Sequence, residues 1–131
     1  MERDYVAAAR RWIVRAEHDL KVAEHTLEIQ EDCPFEVVGF HAQQCAEKYL
    51  KALLVLKAID FPKTHDLRYL VELIPPGLEL ELDLSDLALL NRYAVEGRYP
   101  DAWGEPDRAE AQRMVVVARK VRDALKVHFP A

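Results

Sequence analysis

The sequence predicts an all-α protein, an antiparallel up-and-down four-helix bundle with an additional short helix. Three observations carry that expectation. Apolar residues recur at helical spacing along most of the chain. Proline, glycine and acidic residues punctuate it at 31–34, 75–77 and 98–106. The one stretch with two-residue alternation, Leu78 to Leu84, has no second strand to pair with and reads as an extended connector.

The first helix is expected over 3–30, where Trp12, Ala16, Leu20, Ala23 and Leu27 repeat near helical spacing and no Gly or Pro interrupts. The run EDCP at 31–34 ends it and starts the next, because proline suits a first helical turn. The second helix extends to about Ile59, with Val38, Ala42, Cys45, Tyr49, Ala52, Leu53 and Leu56 as its apolar stripe. FPKT at 61–64 is a turn, and Thr64 is a cap for a short helix through Ile74. PPG at 75–77 stops that helix. After the connector, Ser85 or Asp83 caps a helix through about Glu96. The loop RYPDAWGEP then leads to a last helix over about 106–128, with Pro106 in its first turn.

At 131 residues the chain is expected to form one domain, 1–131. A domain of that size buries roughly two thirds of its unfolded surface. The net charge of −5 makes a molecule-wide nucleic-acid surface unexpected, so any anion site has to be local. No stretch reaches the ~20 apolar residues of a membrane span, and the charged start MERDYVAAARRW does not read as a signal peptide. The expected compartment is the cytoplasm. Two cysteines on one helix, Cys33 and Cys45, would stand ~18 Å apart, too far for a disulfide, so buried thiols are expected. His18 and His25 are two turns apart and lack further ligands, so neither a metal site nor a cofactor is expected.

Beside the apolar stripe of the second helix runs a polar row, His41, Gln44, Lys48 and Lys51. An imidazole, an amide and two ammonium groups in line can hold an anion or polarise a phosphate. The same row can equally be a solvated helix edge. His65 and Asp66, behind Lys63, open a short helix whose free N–H groups could grip a phosphate, or Asp66 simply favours the positive helix end.

The segments AEHDLKVAE at 16–24, HAQQCAEKYLKA at 41–52, FPKTHDL at 61–67, the leucine-rich stretch at 78–90 and NRYAVEGRYPD at 91–101 occur in order. Together they resemble the HEPN family, specifically its small free-standing prokaryotic members. The resemblance implies a helical nucleotide- or RNA-phosphate-binding module with Arg92, Arg98 and Tyr99 as site residues and His41, Gln44 and Lys48 behind them. It also implies a homodimer, with Tyr93, Tyr99 and Trp103 as aromatic anchors. A minimal nucleotidyltransferase would be the partner in a toxin–antitoxin-like two-gene system. In related pairs the partner can transfer AMP to the motif tyrosine, here Tyr99.

Many members of that family are metal-independent ribonucleases that set an arginine and a histidine a few residues apart, followed by a tyrosine. The imidazole moves a proton and the guanidinium holds the phosphate. In RYAVEGRY at 92–99, Arg92 matches the arginine and Tyr99 the tyrosine, but Gly97 stands where the histidine belongs. Glycine transfers no proton, so a binding module is the first expectation. A ribonuclease toxin using Arg92 with a displaced histidine, His41 or His65, is the second. The pairs Arg11 with His18 and Arg122 with His128 match the spacing no better than chance. The third expectation is a dimeric scaffold in which Tyr93 and Tyr99 are core or interface aromatics and Arg98 pairs with Asp101.

Overall fold

The computed structural model describes residues 2–78, 80–94 and 104–130. Among them lie five helices and no strand: α1 (Glu2–Leu27), α2 (Phe35–Leu56), α3 (Leu67–Glu72), α4 (Leu84–Asn91) and α5 (Arg108–Lys126). The all-helical architecture is the one the sequence predicts.

The chain directions follow from which residues meet. α1 and α2 pack as an antiparallel hairpin, with Asp19 reaching both His41 and Lys48 and Glu17 reaching Tyr49. Arg113 meets Asp86 at one end of the α4–α5 contact, and Tyr93 meets Glu110 at the other, so these two helices also run antiparallel. α2 and α5 lie parallel, Gly39 against Met114 near their starts and Tyr49 within the field of Arg122 near their ends. The result is up-down-up-down, with α3 as a short extra turn in the connection between α2 and α4.

The core confirms the two stripes. Ala16, Leu20 and Ala23 of α1 are buried against Val38, Ala42, Cys45, Tyr49 and Leu53 of α2. Small alanines on both helices let the backbones approach closely. α5 adds Met114, Val117, Ala118, Val121 and Leu125, and the short helices add Leu67, Leu70, Leu87 and Leu90.

Several boundaries differ from expectation, each for a local reason. α1 stops at Leu27, where Arg108 of α5 donates to the carbonyls of Leu27 and Ile29 at 2.6 and 2.7 Å. A guanidinium from a distant helix thus takes the free acceptors of the helix end. α2 ends at Leu56, short of Ile59. Ala58 adopts φ 58°, with Ala58 N–H on Val55 O and Ile59 N–H on Leu54 O, a Schellman closure with alanine in the place usually held by glycine. The cap of α3 is Asp66, not Thr64. Its carboxylate accepts from Arg68 and Tyr69 N–H, while Thr64 Oγ1 accepts from Asp66 N–H. Between Asp83 and Ser85, Asp83 is the cap of α4. α5 begins at Arg108 behind the cap Asp107, so Pro106 precedes the helix instead of lying in its first turn. α4 closes at Asn91 with Arg92 as C-cap. The helix therefore stops short of the expected Glu96, since residues 92–94 already lie outside it; residues 95 and 96 lie outside the described residues, as do Gly97, Arg98, Tyr99, Pro100, Asp101 and Trp103.

Candidate functional site

The polar row of α2 is neither a solvated edge nor an uncompensated cationic strip. Two nearly buried carboxylates organise it. Asp19 of α1 is 8% exposed, and its Oδ1 lies 2.8 Å from His41 Nδ1 while its Oδ2 lies 2.5 Å from Lys48 Nζ. His41 also meets the Phe40 ring edge-on at 5.1 Å, so the imidazole is held on two sides.

Glu47 is 3% exposed and works on the opposite flank of the row. Its Oε2 receives Lys51 Nζ at 3.0 Å, and its Oε1 receives His65 Nδ1 at 2.8 Å. The Gln43 and Gln44 amides also donate to Oε1, at 3.2 and 3.5 Å. A carboxylate out of water needs such donors to offset its desolvation. Lys51 is itself only 8% exposed, its ammonium 5.7 Å from the ring centres of both Trp12 and Phe61. Among the described residues no buried side-chain polar atom is left without a partner.

Gln43 does a second thing. Its amide donates to the His65 carbonyl at 3.0 Å, so α2 anchors both the main chain and the ring of one residue. Immediately beyond, Asn91 at the end of α4 clamps the start of α3. Its Oδ1 accepts from Leu67 N–H at 3.0 Å and its Nδ2 donates to Asp66 Oδ1 at 3.0 Å. That clamp ties the end of α4 to the start of α3, directly after His65. Arg92 is 37% exposed and stands 3.8 Å from Glu110, which also accepts from the Tyr93 hydroxyl at 2.8 Å.

The predicted site residues therefore divide. His41, Gln44 and Lys48 share one face of α2, tied to Asp19 and Glu47. Arg92 lies at the end of α4 beside the α3 start, and Arg98 and Tyr99 lie outside the described residues. Tyr93, 4% exposed, packs against Gly39 as a core aromatic. The sequence reading missed Asp19, Gln43 and Glu47. A signal for the last existed, since Glu47 precedes Lys51 by one helical turn, the spacing of an ion pair on a helix. Nothing local marks Asp19, whose partners are 22 and 29 residues away.

A groove of about 740 Å³ lies elsewhere, between the start of α4 and the end of α5. Glu81, Asp83, Asp86 and Asp123 line it against Lys120 and His128, a net negative charge that disfavours phosphate. Among the described residues no group of three or more His, Cys, Asp or Glu side chains could hold a metal ion, and no helix is long and apolar enough to cross a membrane.

The family model described as HEPN domain matches residues 9–128. A crystal structure from Thermus thermophilus is similar with a TM-score of 0.76 and 27% identity, over 91% of this chain and 96% of that one. The crystal structure of an archaeal HEPN homologue is similar with a TM-score of 0.63 and 20% identity, over 92% and 96% of the two chains, a likeness of fold alone. No curated protein matches the sequence.

Proposed function

The chain belongs to the HEPN domain family, and from that premise we propose that it is a nucleotide- or RNA-phosphate-binding module. It works in the cytoplasm as a homodimer beside a minimal nucleotidyltransferase, in a toxin–antitoxin-like two-gene system. The supporting observation is the Asn91 clamp, which ties the end of α4, where Arg92 is the C-cap, to the start of α3 directly after His65. Guanidinium groups fork onto phosphates, and an imidazole adds a directional hydrogen bond. Arg98 adds a second guanidinium, and Tyr99 is the acceptor if the partner transfers AMP. Gln44 and Lys48 set the polar face behind them.

Calorimetry with ATP, GTP or a short RNA tests the reading. Weak binding that fades as salt rises is expected. Arg92→Ala and Arg98→Ala each weaken it by about 1–3 kcal/mol. No heat with any of these ligands, or equal binding by both variants, overturns it. Light scattering at micromolar concentration checks the dimer, and a purely monomeric species counts against it.

One observation favours a second reading, a metal-independent ribonuclease. His65 is half-exposed and tied through Nδ1 to a buried carboxylate, an arrangement suited to proton transfer at Nε2. It would supply the imidazole that Gly97 lacks.

A further inference from the structure

We propose that His65 is an additional phosphate-contacting residue of this site and that Glu47 is the residue that positions it; the inference rests on the phosphate-binding reading above. Two histidines have the same kind of support and differ in what they offer outward. His41 is bound to Asp19, with 23% of its side chain exposed. His65 is bound to Glu47, yet 54% of its side chain remains exposed.

A purely structural network does not require that exposed ring. Glu47 already receives Lys51, Gln43 and Gln44, which meet both of its oxygens. His65 adds a fourth donor from a connecting segment, and α2 holds the same residue a second time through Gln43 and the His65 carbonyl. An exposed side chain fixed at its main chain and at one ring nitrogen is pre-organised for a contact at the other.

The chemistry at the ring follows from the partner. A carboxylate oxygen only accepts, so His65 Nδ1 carries a hydrogen toward Glu47 and leaves Nε2 as the nitrogen open to a ligand. To hold a phosphate oxygen, Nε2 takes a proton from solvent and donates it as a hydrogen bond. The Glu47 carboxylate at 2.8 Å offsets the charge that this creates. The other charged groups near His65 are Lys51 on the far oxygen of Glu47, and Lys63 and Asp66 along the chain. Asp66 turns its Oδ1 to the start of α3 and to Asn91, accepting from Arg68 N–H, Tyr69 N–H and Asn91 Nδ2. The ligand class is a phosphate monoester or phosphodiester of a nucleotide, met by the half-exposed ring of His65.

The test uses nitrogen-edited NMR of the imidazoles and calorimetry on the full chain, with ATP as the probe. In the free wild type, His65 is expected as the Nδ1–H tautomer. Glu47→Gln replaces the carboxylate with an amide that can also donate, and the preference of His65 for the Nδ1–H tautomer should then weaken. On adding ATP, the His65 ring signals should move while those of His41 stay. Calorimetry in two buffers of different protonation enthalpy should show proton uptake with binding in the wild type and none in His65→Ala. The affinity of that variant should drop about tenfold or more, the scale of a lost charge-assisted contact. The wild-type ring signals need no variant, so a folding defect in His65→Ala does not blunt the test. ATP binding with unmoved His65 signals, or an Nε2–H tautomer in the free protein, overturns the role of His65 and leaves the phosphate-binding reading standing. Absence of ATP, GTP and RNA binding in the wild type overturns both.

Discussion

Asp19 and Glu47 divide their oxygens in the same way: one takes a histidine Nδ1 at 2.8 Å and the other takes a lysine ammonium. Both carboxylates are nearly buried and both face the polar row of α2. Asp19 comes from α1 and so fastens the hairpin. Glu47 sits on α2 itself and reaches out to the segment before α3. The pairing turns a row that reads as cationic in sequence into one that is largely charge-balanced in space.

Removing the Glu47 charge should expose how much the fold depends on this balance. Glu47→Ala leaves the Lys51 ammonium nearly buried without its partner, and the expected loss is about 3–5 kcal/mol in urea unfolding. The double replacement Glu47→Leu with Lys51→Met should recover most of it, because apolar side chains of similar volume suit the space beside Trp12 and Phe61. A double variant no more stable than Glu47→Ala would show that the lysine is not the source of the loss.

Gly39 is where α2 admits its neighbours. A Cβ there would come within 2.8 Å of the Tyr93 ring and 2.8 Å of the Met114 methyl. The methionine can swing aside, but the aromatic ring is held by its hydroxyl on Glu110. Gly39→Ala should therefore destabilise by about 1–3 kcal/mol through overpacking, despite the better helix propensity of alanine. Thermal unfolding decides the sign.

Ala58 pays a conformational cost that glycine would not. It is exposed and holds φ 58° to close α2. Ala58→Gly should raise stability by about 0.5–1 kcal/mol with no change in helix content, since the left-handed position disfavours a Cβ. An unchanged or lower midpoint in urea would argue that the closure is not maintained in solution.

Alkaline pH should weaken the fold in two steps. Burial, then the negative Glu17, hold the Cys45 thiol above its ordinary value of 9.0. Burial and the hydrogen bond to Glu17 hold the Tyr49 hydroxyl above its ordinary value of 10.0. Above those values the unfolded chain releases protons that the native chain keeps, so stability is complete below about pH 9 and falls as pH rises. Each group contributes a slope of up to about 1.4 kcal/mol per pH unit. Cys45→Ala should remove the earlier component and Tyr49→Phe the later one, read from denaturant unfolding between about pH 8 and pH 11.

Ribonuclease activity of the isolated protein should stay at background in metal-free digestion of a mixed RNA. By the family resemblance, Gly97 stands where an acid–base histidine is expected, and loss of such a group costs about 10²–10⁴ in rate. Gly97→His is expected to restore part of the cleavage. Robust wild-type cleavage abolished by both Arg92→Ala and His65→Ala would instead establish the ribonuclease reading.

Local physics was enough for the helices. The stripes through Ala16, Leu20 and Ala23 and through Ala42, Cys45 and Tyr49 are periodic, and a periodic apolar face has one way to be buried. The breaks at PPG and at Asp83 are equally local, because backbone geometry and side-chain capping act within a few residues. Family membership was legible too, carried by HAQQCAEKYLKA and THDL. The end of α1 was not, since the Arg108 guanidinium that caps it comes from 81 residues away. The charge state of the polar row was equally hidden. His41 and Lys48 look uncompensated until α1 brings Asp19 against them, and His65 looks like a turn residue until Glu47 and Gln43 take hold of it. Periodicity records which face a helix buries, whereas the partner of a charge depends on which helices meet, and only the tertiary structure decides that.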